Sequence, residues 1–240
     1  GGGEAGGGWE APLDGRRLHD LVLSPMVALL NGSPEPPATQ FRLALMTALG
    51  ALGREPLYAD SACRGAVVLA LSSHLHHDEL SREYSTAMRE LRALAEAAES
   101  EDGSEPTTEA LCRSLLPELA PEWVWWMVEA PEWLAPTAAR LLDASVTEMV
   151  SMLIPHALPA IVLVGGLGLR GVFPNGERGR QAMRLLELLA EQLGLTRAEL
   201  LIHHMHLILA ELFVQQAADD TGTLNDAIPG GLELVAACGV

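Results

Sequence analysis

The sequence predicts an all-α fold, an α-solenoid of HEAT-like antiparallel helix pairs, and three observations carry that expectation. Wherever a period can be read it is helical. The apolar half of the chain is mostly Leu and Ala, with only 3 Phe and 2 Tyr, and straight-chain or small side chains lose little rotamer freedom in a helix. Short Gly- and Pro-containing loops separate the apolar runs, with no alternating strand pattern between them. Antiparallel helices joined by short loops suit either a bundle or a stack of helix pairs; HEAT-type repeats take about 40 to 47 residues per pair, so a stack of this length would hold about five. No crisp sequence period accompanies the pattern; Pro121-Glu122-Trp123 and Pro131-Glu132-Trp133 echo each other at the wrong spacing.

Residues 1–10, rich in glycine, are expected to form a flexible end. Helical runs follow over 18–30 and 41–52, separated by Asn31-Gly32-Ser33-Pro34-Glu35-Pro36-Pro37, whose Gly and Pro stop one helix and start the next. The next pair covers 62–75 and 80–95. In the second of these, Leu80, Tyr84, Met88, Leu91 and Ala95 recur at helical spacing on one face, which leaves Arg82, Glu83, Arg89 and Glu90 facing away. A polar, acidic loop is expected near 100–106.

Beyond it lie helical runs over 111–119, 122–128, 133–142, 146–164, 181–193 and 197–214. Pro117, Pro136, Pro155 and Pro159 are expected to bend or break several of them. Thr196-Arg197-Ala198-Glu199 is a capping box: the hydroxyl accepts from the Glu199 amide while the Glu199 carboxylate reaches back to the Thr196 amide. The helical array is thus expected over 11–216, with a glycine-rich loop near 165–177. Residues 217–240 read as the start of a further repeat, and the closing apolar run Leu232-Glu233-Leu234-Val235-Ala236-Ala237-Cys238, with nothing after it to cover it, as a sign of truncation.

Lys is absent, and 15 Arg stand against 32 Asp and Glu for a net charge of −17. Such a field repels a polyanion, so no direct nucleic-acid site is expected. Arg178, Arg180 and Arg184 come nearest to a basic patch and read as a solvated face or as partners of nearby carboxylates. Cys63, Cys112 and Cys238 are odd in number, far apart and in apolar helical contexts, as reduced core thiols of an intracellular protein would be.

Several features resemble chemical motifs. Gly166-Leu167-Gly168-Leu169-Arg170-Gly171 matches GxGxxG, yet Phe173-Pro174-Asn175-Gly176 follows where a dinucleotide site needs a helix to begin, so a glycine-rich helix end and loop is expected. Residues 149–169 are long enough to span a membrane, but His156, two prolines and acidic flanks favour a buried core helix, and no membrane partner is expected. Trp123, Trp125 and Trp126 read as core or repeat-interface residues. Histidines gather as His74, His76, His77 and as His203, His204, His206; the spacing of three puts His74 with His77, and His203 with His206, on one helix face each. Two such faces brought together would offer four nitrogens to zinc, whereas the plainer expectation is helix-surface or helix-end histidines. GxSxG, HExxH, paired-Cys, P-loop and kinase signatures are absent, so no catalytic, cofactor-binding or metal residue and no cofactor is expected.

Met152-Leu153-Ile154-Pro155-His156-Ala157-Leu158-Pro159-Ala160-Ile161-Val162-Leu163, a loop, and then the stretch from 185 to Val214 resemble the HEAT-repeat region of ATR-type checkpoint kinases, just upstream of the UME domain. The match is best over Leu189-Ala190-Glu191-Gln192-Leu193-Gly194-Leu195-Thr196-Arg197-Ala198-Glu199-Leu200-Leu201, while residues 11–150 fit only in being helical. The glycine-rich insert from Gly165 to Gly176 is longer than the family pattern. The resemblance implies a large serine/threonine kinase of the phosphatidylinositol-3-kinase-related family, nuclear and acting on DNA damage and stalled replication forks, with its kinase domain far downstream. It also implies protein partners along the array, a checkpoint-kinase regulatory subunit among them. The segment itself would be a non-catalytic scaffold. The competing expectation is a free-standing helical metal- or ligand-binding protein using His74/His77 and His203/His206.

Overall fold

The computed structural model describes residues 19–31, 38–58, 60–75, 79–98, 106–129, 134–170, 177–218 and 227–240. Among them all regular structure is helical, so the fold is all-α. The chain divides into two compact units, Gly1–Ala98 and Glu99–Val240.

In the first unit a π-helical turn, α1 (His19–Leu23), runs into α2 (Ser24–Asn31). It is followed by α3 (Thr39–Arg54), α4 (Ser61–Ser72) and α5 (Arg82–Ala97). Side chains fix two of the helix starts: Asp60 accepts from the Cys63 amide at 2.8 Å and Ser81 from the Tyr84 amide at 3.1 Å. Arg42 early in α3 meets Glu83 early in α5, and further along Thr47 meets Arg89 and Arg54 meets Glu90. The two helices are therefore parallel, and α4 carries the chain back between them. Met46, Leu49, Val67, Val68, Leu71 and Leu91 form the sealed core of this unit.

Here the sequence expectation for α5 needs correction. Its buried face is Glu83, Thr86, Ala87, Glu90, Leu91, Leu94 and Ala95, so two residues expected to face away lie inside. Leu80, expected on the apolar face, precedes the helix and is 92% exposed. The cause is on α3, where Arg42 and Arg54 supply the counter-charges that let Glu83 and Glu90 leave water. Arg82 and Arg89 do face outward.

The second unit is built on α9 (Val146–Leu169), against which α7 (Leu116–Glu129), α8 (Leu134–Leu141), α10 (Glu177–Leu193), α12 (Met205–Ala218) and α13 (Ala227–Ala237) all pack. The short α6 (Thr108–Ser114) packs on α7 and α8, and α11 (Arg197–His203) on α10. One central helix thus gathers partners from both sides of itself in sequence. By length and composition α9 is able to cross a membrane, but 61% of its most apolar window is buried within the unit. A capping box starts it, in which Ser145 and Glu148 exchange side-chain and backbone hydrogen bonds.

The helix also corrects two expectations. It runs unbroken through Pro155 and Pro159, and it continues through Gly165, Gly166 and Gly168 where a loop was expected. The glycines remain helical because they admit neighbouring backbones. Gly168 faces Gly179 of α10, and a Cβ on Gly168 would stand 2.6 Å from the Gly179 nitrogen. Gly166 faces Gly230 of α13. Residues 171–176 lie outside the described residues.

Breaks fall elsewhere. The run expected over 111–119 divides at Leu115, with φ −102° and ψ 13°, and the later runs join as α7 through Pro121. Restarting the helix at Leu116 places Pro117 in a first turn, where its missing N–H costs nothing. The run expected over 197–214 likewise divides at His204, with φ −111° and ψ 12°, a conformation that no Gly or Pro announces. Gly194 ends α10 at φ 67°, with the Leu195 amide donating to the Ala190 carbonyl at 2.9 Å. The expected capping box at Thr196 and Glu199 then opens α11, with bonds of 2.8 and 3.2 Å. At the chain's end Leu234 and Val235 are buried within α13, which packs on α9 and α12.

Candidate functional site

His74 is buried at the end of α4, with Nε2 3.1 Å from the Asn31 side-chain oxygen. His76 and His77 lie outside the described residues, so the His74/His77 pair is not described. His203 and His206 are exposed at the α11–α12 junction, and His204 between them is half-buried. Burial lowers the His204 pKa, and the neighbouring imidazoles add to the effect. Among the described residues no three His, Cys, Asp or Glu side chains gather as metal ligands would.

The GxGxxG stretch is explained by packing. Gly166 and Gly168 lie in the C-terminal turns of α9, the negative end of the helix dipole, whereas a pyrophosphate needs an N-terminus. Gly171 is outside the described residues. Trp123 and Trp125 are buried, and Trp123 stacks obliquely on Trp126 with ring centroids 6.3 Å apart. The guanidinium of Arg178 lies 5.5 Å from the centre of the Trp125 ring, a cation–π contact that joins α10 to α7. All three cysteines are buried without a disulfide. Burial pushes the Cys63 and Cys112 thiols up to about 12, with the Asp60 carboxylate contributing at Cys63, so neither is a poised nucleophile.

Two surfaces remain. The first is on α12, which is apolar on opposite sides: Ile208 and Leu212 are fully buried, while Phe213 is 61% and Val214 60% exposed. His206 and Ala210 share the outward face with them, at spacings of four, three and one. The second is a cleft of about 480 Å³ lined by Gly168 and Leu169 of α9, Arg180, Met183, Arg184 and Glu187 of α10, and Arg197 of α11. Sequence reading noticed Arg180 and Arg184; it missed Arg197, which the tight turn at Gly194 brings to the same place.

Among the described residues no metal-ligand cluster gathers, and the two surfaces are the features left to interpret. Compared with protein-family models, with characterised proteins and with solved structures, the chain matches none.

Proposed function

We propose that the chain is a non-catalytic helical scaffold segment of HEAT-like, solenoid type, which spaces and orients other parts of a protein and offers surface to protein partners. The observation that carries this reading is α12, buried on one side through Ile208 and Leu212 and apolar on the other through Phe213 and Val214. A helix apolar all round belongs between neighbours, and repeat scaffolds stack each unit against the next through such faces. The parallel α3 and α5, with α4 returning between them, supports stacked helix pairs, although an up-down bundle makes the same arrangement and α9 gathers α7, α8, α10, α12 and α13 around itself. Nucleic acid is a poor partner for a chain of net charge −17.

The resemblance over residues 152–163 and 185–214 supports, as part of this proposal, a parent protein that is an ATR-type serine/threonine kinase of the nuclear DNA-damage and replication checkpoint, with a regulatory subunit among its partners. Reading the transcript beyond codon 240 tests this directly: a downstream UME, FAT and kinase region is expected. An early stop, together with one tightly held zinc per chain that is lost on His74→Ala and His203→Ala, would favour the free-standing metal-binding reading instead.

A further inference from the structure

We propose that the cleft formed by the last turn of α9, the first half of α10 and Arg197 of α11 binds an acidic peptide segment, its carboxylates on Arg180, Arg184 and Arg197 and one apolar side chain against Met183 and Leu169. The inference stands whether or not the parent is a kinase.

Charge is the first argument. In a chain with 15 Arg against 32 acidic residues, this cleft gathers three guanidinium groups and a single carboxylate, Glu187. A second cleft of similar size, about 470 Å³, shows the contrast: Arg89 and Arg92 there are balanced by Glu79 and Glu96. Pairing is the second. Arg42, Arg54, Arg89, Arg113 and Arg170 each hold a carboxylate at 2.6–3.1 Å. Arg180, Arg184 and Arg197 form no ion pair among the described residues; Arg64, Arg82, Arg92 and Arg178 form none either, but only the first three converge on one cleft. Glu177, three residues before Arg180, accepts from Gln181 at 3.4 Å, and Glu187, three residues after Arg184, lines the cleft without forming an ion pair among the described residues.

Placement is the third. Arg180 and Arg184 stand four apart on α10, where like charges repel, and Arg180 lies in the first turn of that helix, whose dipole adds to the positive potential. This arrangement works against the isolated fold and favours an incoming anion. Guanidinium forks match carboxylates two bonds at a time. At about 480 Å³ the cleft has room for more than a lone small ion, and apolar Leu169 and Met183 line it beside the arginines. Leu169 is 49% exposed there, and Met183, touching Cys238 of the last helical segment at 3.7 Å, is a side chain that repacks readily around a guest.

The test is fluorescence anisotropy of the 240-residue chain against a labelled peptide Gly-Ser-Glu-Glu-Leu-Glu-Glu-Ser-Gly, with circular dichroism verifying the helicity of each variant. Saturable binding is expected, falling about tenfold or more in Arg184→Glu with Arg197→Glu, as charge reversal at a polar contact predicts. The gentler triple change Arg180→Gln, Arg184→Gln and Arg197→Gln should weaken it as well, and serves if charge reversal disturbs folding. Arg92→Glu, which makes a like change in charge on an exposed arginine of the first unit, should leave binding unchanged. No binding by the unaltered chain overturns the proposal, as does an equal loss in Arg92→Glu. Equal binding of a peptide with Gln for Glu, or complete displacement by millimolar inorganic phosphate, overturns it too, the last by showing a small-anion site.

Discussion

Gly166 of α9 and Gly230 of α13 meet backbone to backbone: a Cβ on Gly230 would stand 2.8 Å from both the carbonyl carbon and the carbonyl oxygen of Gly166. In an ordinary helix interior, exchanging Gly for Ala gains about 0.5–1 kcal/mol through chain entropy. At this crossing the sign reverses, because the obstacle is main chain and has no rotamer to adopt. Gly166→Ala is expected to cost about 1–3 kcal/mol, as overpacking does, measured by urea unfolding. A variant as stable as the parent would mean that α13 does not cross α9 at this point.

Glu90 is 3% exposed and takes bonds from both Arg54, at 2.8 Å, and Arg89, at 2.7 Å. Glu90→Ala is expected to cost about 1.5–3 kcal/mol, the range for a hydrogen bond to a charged group. The loss stays below that of a fully stranded buried charge because the Arg54 and Arg89 side chains, 31% and 63% exposed, can return to water. Arg89→Ala, the exposed half of the cluster, should cost under about 1 kcal/mol. Comparable losses in the two variants would contradict the burial described for α5.

The two capping boxes give the protein an acid-sensitive component. Hydrogen bonds from the Ser145 backbone and hydroxyl hold the Glu148 carboxyl below the usual range, and those from Thr196 do the same for Glu199. A depressed folded-state value means that the stabilisation is complete above the unfolded pKa of about 4.3 and is lost as pH falls through the lower folded value. Unfolding midpoints of the parent should therefore drop below about pH 4.3, and Glu199→Gln should flatten that part of the profile. Thr196→Ala should cost about 0.5–2 kcal/mol and Thr196→Ser very little.

The two sides of α12 differ in a measurable way. Ile208 is fully enclosed, and Ile208→Ala is expected to cost about 2–5 kcal/mol. Phe213→Ala on the exposed side should fall within about 0.5 kcal/mol in this chain. An Ile208→Ala loss no larger than that of Phe213→Ala would show that the helix is rotated from the orientation described.

What the sequence made legible depended on how far apart the deciding residues lie. The Thr196–Glu199 box needs four consecutive residues and was readable; the Ser145–Glu148 box had the same pattern and went unread. The orientation of α5 was not legible, because the groups that bring Glu83 and Glu90 inside are Arg42 and Arg54 on another helix. Gly165, Gly166 and Gly168 were visible as a cluster, but their use in admitting α10 and α13 depends on Gly179 and Gly230. The kink at His204 leaves no mark in composition. Of the cleft, two of its three arginines were noticed on α10, and the third came from beyond a helix end whose left-handed glycine sets its direction.

The position of α9 at the centre of its unit has a consequence during synthesis. A ribosome completes Leu169 well before it completes Ala237, and at about 5–20 residues per second the interval is roughly 3–14 s. Over that interval a 24-residue apolar helix gains its later partners one at a time, α10 first, then α12, with α13 last. An uncovered apolar helix of this length is the kind of segment that holding chaperones and membrane-insertion machinery engage. Prolines are no bar to a spanning helix, so the ionisable His156 is the residue that weighs against insertion of the unfinished one.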